Sequence, residues 1–356
     1  MKMTKILFIC HGNICRSPMA EFIMQHLCRE AGVENLFEIS SAAVSTEEIG
    51  NDLYPPAKRI LTAHGIPFAH RAARQITPSD WSSFDYIICA DRSNIRLMDY
   101  RFGKDLLNRS HARLSLMMDL VGQQRDVSDP WYTGDFETAY QDIYSSCQAL
   151  LKALLPVYVF DLGGVLIRLD VKRCFQAFEQ LMGEDNMRAV LGMDRNGEGV
   201  KAVSVASKQL MADFERGLIE PDDFIAQVLL YCHPGTTAEE VQDAWMSMLD
   251  DLPAERLQFV KSLREKGHRV YLLSNGNDLH FNFINRQYRL DTYFDGLFLS
   301  QKMHMAKPDP QIFKAVHSAI CNPSSVIFID DILANRLAAE KSVHWQTFDS
   351  IDSLIR

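Results

Sequence analysis

Residues 5–27 read KILFICHGNICRSPMAEFIMQHL. The run from Lys5 to Ile9 is short and apolar, which predicts a buried strand. Beyond it Met19, Phe22, Ile23 and Leu27 recur at helical spacing, the pattern of an amphipathic helix. The string CHGNICRSP, residues 10–18, is therefore a strand-to-helix turn. Such a turn brings unpaired N–H groups and the positive end of a helix to one point, which suits an anion. Its two cysteines, Cys10 and Cys15, leave a second reading open, a redox or metal-binding pair.

The alternation continues outward from this unit. Leu36–Ser40 and Tyr86–Ala90 read as strands, and Tyr54–His64, Ser93–Met98 and Phe136–Leu155 as helices. Strands alternating with helices predict a parallel sheet covered on both faces. The last of these helices meets Pro156, which it cannot run through, and the apolar strand Val157–Phe160 follows at once. This places a domain boundary there, giving domains over 1–155 and 156–356. In the second domain, strands recur at Val270–Leu273, Leu297–Leu299 and Val326–Ile329, after a mostly helical insert over about 171–252. The expected class is α/β: two doubly wound parallel-sheet domains, the second with a small helical cap.

Composition narrows the function. The chain has 356 residues and a formal net charge of −9, so a broad basic surface for nucleic acid is not expected. The first apolar run is too short for a signal-peptide core, and no stretch approaches a membrane span. Eight cysteines scattered through both halves do not suggest a disulfide framework, and the expected location is the cytoplasm.

Within the turn, Cys10 is a candidate nucleophile and Arg16 a planar fork for phosphate oxygens. Gly12 and Asn13 tolerate the positive φ a tight cradle demands. The N–H groups of Gly12, Asn13, Ile14 and Cys15 are candidate anion donors, and Ser17 is placed to hydrogen-bond the Cys10 sulfur. CHGNICRSPMAE closely resembles the active-site signature of the low-molecular-weight protein tyrosine phosphatases, a resemblance spanning about residues 4–152. It extends to Ser40-Ser41-Ala42-Ala43, to Ala90-Asp91-Arg92-Ser93-Asn94 and to Asp129-Pro130-Trp131-Tyr132. The resemblance implies that Cys10 forms a phosphocysteine and that Asp129 protonates the leaving oxygen and then activates water. It implies no cofactor or metal for this domain, a phosphorylated protein tyrosine as substrate, and a reversible Cys10–Cys15 disulfide as a guard. One departure concerns substrate: Ser45-Thr46-Glu47-Glu48 stands where many members place an aromatic and a histidine. Thioredoxin-coupled arsenate reductases share the loop but need two more cysteines close together. Only Cys89 is plausibly placed here, so arsenate reduction is a distant alternative.

In the second half, polar residues sit where ligands bind in open α/β sheets, beyond the carboxyl ends of strands. Asp161 is a candidate nucleophile, Ser274 and Asn275 phosphate donors, Lys307 a cation, and Asp330-Asp331 a paired-carboxylate Mg2+ site. In chain order this set resembles the haloacid dehalogenase superfamily, over about 156–356. Asp161-Leu162-Gly163-Gly164-Val165-Leu166, Leu273-Ser274-Asn275-Gly276-Asn277 and His280 look like its glucose-1-phosphatase-like branch. Phe214-Glu215-Arg216-Gly217 and Trp245 fit that branch's cap. The resemblance implies an aspartyl phosphate on Asp161, and Mg2+ held by Asp161, the Gly163 carbonyl and Asp331, with Asp330 in support. The substrate it implies is a small phosphorylated metabolite such as a sugar phosphate. Gly163 stands where most phosphatases of the superfamily carry an acid/base Asp, which predicts a preference for good leaving groups. The alternative is a second domain that only binds phosphoryl groups as a regulatory module.

Overall fold

The computed structural model describes residues 3–103, 111–191 and 205–355, and the chain divides into two compact units, Met1–Leu154 and Leu155–Arg356.

The first unit is built on a four-stranded parallel sheet in the order β2-β1-β3-β4. Its strands are β1 (Thr4–Cys10), β2 (Phe37–Ala43), β3 (Tyr86–Cys89) and β4 (Arg113–Leu116). Helices α1 (Arg16–Glu30), α2 (Pro55–Ala63), α3 (Arg92–Phe102) and α4 (Phe136–Leu154) connect or follow them. The apolar run predicted as a strand is central, with Ile6, Leu7 and Ile9 fully buried. Helix α1 buries the predicted stripe of Met19, Phe22, Ile23 and Leu27. Helix α3 starts at a capping box, in which the Asp91 side chain accepts from Asn94 N and Asn94 Oδ1 accepts from Asp91 N. Strand β4 was not foreseen, because it is an edge strand with only Leu116 buried and carries no apolar run.

The second unit has a five-stranded parallel sheet in the order β7-β6-β5-β8-β9. These strands are β5 (Val157–Phe160), β6 (Val270–Ser274), β7 (Gly296–Leu299), β8 (Val326–Ile329) and β9 (Gln346–Phe348). Central β5 is buried on both faces, as its unbroken apolar sequence requires. Tyr158 and Phe160 join one core with Leu166 and Ile284, while Val157 and Val159 join another with Phe313 and Trp345. Between β5 and β6 come the cap helices α5 (Val171–Leu191), α6 (Val205–Glu215), α7 (Pro221–Leu229) and α8 (Ala238–Met246). They enclose their own core around Phe178, Phe214, Phe224 and Trp245. The chain then continues through α9 (Ala254–Glu265), α10 (Asp278–Tyr288), α11 (Pro310–Ala319) and α12 (Leu333–Val343). Both units are thus α/β with all-parallel sheets. Among the described residues, no helix is long and apolar enough to cross a membrane.

Candidate active sites

The first site forms where β1 ends and α1 begins. Cys10, the last residue of β1, is buried, and two hydrogen-bonding groups converge on its sulfur. Asn13 N donates to Sγ at 3.3 Å, and Ser17 Oγ lies 3.1 Å from it. Ser17 Oγ also accepts from Asn13 Nδ2 at 2.9 Å, and its own proton has the sulfur at 3.1 Å and the Ala42 carbonyl at 3.4 Å as acceptors. Asn13 is fully buried in the left-handed region, with φ of 60°, a strained backbone that its surroundings must hold. They do so from three sides: Nδ2 also donates to Ser41 Oγ at 2.8 Å, Oδ1 accepts from Arg71 Nη2 at 2.6 Å, and the Asn13 carbonyl accepts from Arg71 Nη1 at 2.7 Å.

Arg16 is buried and bridges two carboxylates. Nη1 donates to Asp91 Oδ2 at 2.7 Å and Nη2 to Asp129 Oδ2 at 2.5 Å. Burial pushes the Asp91 carboxyl up, but Ser93, Arg16 and the Asn94 N–H more than offset it and hold it below the usual range. The other Asp129 oxygen caps the short helix Pro130–Thr133 through Trp131 N at 3.1 Å. Cys10, Arg16 and Asp129 line one cleft, walled by Glu47, Glu48 and Trp131. Trp131 packs on Tyr54 with ring centroids 4.8 Å apart, so the lining combines aromatic and acidic side chains. Gly12, Ile14 and Cys15 complete the rim. Cys15 is buried, which pushes its thiol up, and both loop cysteines are free thiols. The fully buried Cys89 is likewise pushed well up.

The second site lies at the carboxyl ends of β5, β6 and β8. Lys307 Nζ, almost fully buried, sits between Asp161 Oδ1 at 2.9 Å and Asp330 Oδ2 at 2.6 Å. Asp330 Oδ1 accepts from Asn335 Nδ2 at 3.0 Å and Ile332 N at 2.9 Å, so this carboxylate is well satisfied. Carboxylate oxygens of Asp161, Asp330 and Asp331 lie within 4.8 Å of one another. Asp331 reaches this position because residue 164 is glycine: with φ of 72° and no Cβ, it leaves the space the Asp331 carboxylate fills. Burial, reinforced by neighbouring Asp330 and opposed by Lys307, pushes the Asp161 carboxyl up to about 7. Asn275 locks the Lys307 backbone by accepting from its N–H and donating to its carbonyl, each at 2.8 Å. Ser274 is buried beside it at the end of β6.

His280 stands in the first turn of α10, capped by Asn277. Its ring stacks on Trp245 at 5.2 Å and 12°, with Nε2 3.1 Å from the Trp245 carbonyl, and burial pushes its pKa down to about 4. A depressed folded pKa contributes stability that is present above the unfolded value near 6.5 and lost as pH falls toward 4. Urea unfolding of wild type and His280→Asn should therefore converge by roughly 2 kcal/mol between pH 7 and pH 5. A pH-independent difference would refute the neutral, buried imidazole.

Sequence reasoning missed the second carboxylate on Arg16, Asp91, and the Arg71 brace behind Asn13. The Ala90–Asn94 segment had marked the first by resemblance without giving it a partner. Nothing in a lone loop arginine marked the second.

Comparison with known proteins assigns each half of the chain to a family. The description "Low molecular weight phosphotyrosine protein phosphatase" matches residues 5–156, and "haloacid dehalogenase-like hydrolase" matches residues 155–342. The chain is 39% identical over 154 residues to the low molecular weight phosphotyrosine protein phosphatase of Gallus gallus, covering 42% of this chain and 96% of that protein. It is also 39% identical over 152 residues to the low molecular weight protein-tyrosine-phosphatase YfkJ of Bacillus subtilis, covering 43% and 96% respectively. A HAD family enzyme of Bacteroides thetaiotaomicron, solved in complex with magnesium and inorganic phosphate, is 34% identical with a TM-score of 0.46, covering 55% of this chain and 93% of that one. The chain thus belongs to two phosphatase families at once, a low molecular weight phosphotyrosine protein phosphatase followed by a haloacid dehalogenase-like hydrolase.

Proposed function

We propose that the protein is a bifunctional phosphatase of the cytoplasm, with a cysteine-dependent activity in residues 1–155 and an Mg2+-dependent, aspartate-based one in residues 156–356. The first reading is carried by the convergence of Asn13 and Ser17 on Cys10 in the same cleft as Arg16 and Asp129. Cys10 attacks the phosphorus of a phosphotyrosine-type ester, and Arg16 with the loop N–H groups of Gly12 to Cys15 holds the developing charge. An arriving phosphoryl dianion competes for the Arg16 fork now given to Asp129. Asp129, released and protonated from solvent, gives that proton to the leaving oxygen and later takes one from the attacking water.

At the second site Asp161 is the nucleophile, and Ser274, Asn275 and Lys307 take the phosphoryl oxygens. The donor set fits a hard divalent cation: carboxylate oxygens of Asp161, Asp330 and Asp331 converge, and Gly164 opens the room Asp331 needs. Asp161, Asp331 and the Gly163 carbonyl would hold Mg2+, with Asp330 behind them. Held by these residues, such a cation would supply positive charge to offset that of the transferring group. The proposed substrate is a small phosphorylated metabolite of the sugar phosphate class.

Turnover of p-nitrophenyl phosphate by the full chain, titrated with EDTA, tests the pair. The expected result is two components, one resistant to chelator and one restored by Mg2+. A single component would eliminate one activity, and loss of only the Mg2+-dependent one would leave the second domain a phosphoryl-binding module.

A further inference from the structure

The second site lacks an acid on the side that belongs to the sheet. Gly163 offers no side chain, and a Cβ there would meet Leu169 Cδ1 at 3.0 Å. Lys307 is held between Asp161 and Asp330, and the His280 Nε2 proton is given to the Trp245 carbonyl.

Helix α6 ends at Glu215, and three consecutive residues there are pinned to the segment that follows β7. Ser300, fully buried, donates its hydroxyl to the Glu215 carbonyl at 2.5 Å and accepts from Gly276 N at 3.0 Å. Gly276 directly follows the phosphate pair Ser274-Asn275, so one hydroxyl ties the cap turn to the site. His304 Nδ1 donates to the Arg216 carbonyl at 2.9 Å. Gly217 has φ of 65°, and any Cβ would collide with the Gln301 carbonyl, so the turn approaches as closely as backbone can. The Glu215 side chain is half-buried and, among the described residues, has neither a hydrogen bond nor an ion pair. Its carboxylate feels the charges of Arg216 and of Lys307, which itself touches Asp161.

We infer that Glu215 is the acid and base of the second site, protonating the leaving oxygen that Gly163 cannot reach. The inference rests on the phosphatase reading of that domain. Burial pushes the Glu215 carboxyl up, which favours the protonated form the first step needs. In that step the Asp161 oxygen bonds to phosphorus, the bond from phosphorus to the ester oxygen breaks, and the Glu215 proton passes to that oxygen as the alcohol leaves. In the second step water attacks the aspartyl phosphate and gives a proton to the Glu215 carboxylate. The bond from phosphorus to the Asp161 oxygen breaks, phosphate departs, and both side chains return to their starting states.

The test uses the full chain carrying Cys10→Ser, so that only the second site turns over, and compares two esters with Mg2+ present. In a Glu215→Gln variant, kcat/KM for glycerol 3-phosphate, whose alkoxide needs a proton to leave, should fall by about 10²-fold or more. For p-nitrophenyl phosphate, whose leaving group departs as a stable phenolate, kcat/KM should fall far less, because it reports only formation of the aspartyl phosphate, and an unchanged Tm reports an intact fold. Equal losses on both esters, or none on glycerol 3-phosphate, would overturn the assignment. The underlying reading fails separately if Asp161→Asn leaves the Mg2+-dependent turnover of p-nitrophenyl phosphate untouched.

Discussion

Cys10→Ser should remove the chelator-resistant hydrolysis of p-nitrophenyl phosphate by about 10⁴-fold or more while the first unit stays folded. The size of the loss follows from what the loop holds. The hydrogen-bonding groups of Asn13 and Ser17 meet at one atom, the sulfur, and a hydroxyl in its place keeps those contacts but is a far poorer nucleophile at neutral pH. The anion cradle survives, because Arg16 and the backbone N–H groups do not depend on residue 10. The variant should therefore still bind inorganic phosphate in the presence of EDTA, measured by calorimetry, with an affinity near that of wild type. Loss of binding together with turnover would mean a collapsed loop, not a missing nucleophile. Chelator-resistant turnover surviving in Cys10→Ser would sink the phosphocysteine mechanism outright.

Much of this was legible in the sequence, for reasons that differ from element to element. Strands β1 and β5 were readable because strands central in parallel sheets are apolar without interruption, and Phe8 and Phe160 leave almost nothing exposed. Edge strands β4 and β9 were not, since each has one face or more in solvent and no apolar run to betray it. The candidate nucleophiles were legible because each sits on a strand end, where chain order alone locates it. Residues that work across long separations were not. Arg71 reaches Asn13 from 58 positions away, and Asp91 reaches Arg16 from 75. Local pattern carries no trace of such pairings. The end of α6 shows the same limit, since Gly217 reads as an ordinary turn glycine until Gln301 is seen against it.

Replacement of Asp161 by asparagine should abolish the Mg2+-dependent component, again by about 10⁴-fold or more, and leave the chelator-resistant one unchanged. An amide in that place does not form the acyl phosphate, yet its oxygen can keep accepting from Lys307 Nζ and Leu162 N, as Asp161 Oδ1 now does at 2.9 and 2.7 Å. Stability separates this from simple damage. Asp161 is buried beside Asp330, and its carboxyl is pushed up to about 7, so at neutral pH its charge is a cost to the metal-free fold. Removing that charge leaves the pair between Lys307 and Asp330 at 2.6 Å in place. The metal-free variant should thus melt no lower than wild type, whereas the rise in Tm that saturating Mg2+ gives wild type should shrink, because one of three converging carboxylates is gone. A variant that loses turnover while keeping the full Mg2+-induced rise would remove Asp161 from the metal set but keep it as nucleophile. One that keeps its turnover would remove it from both.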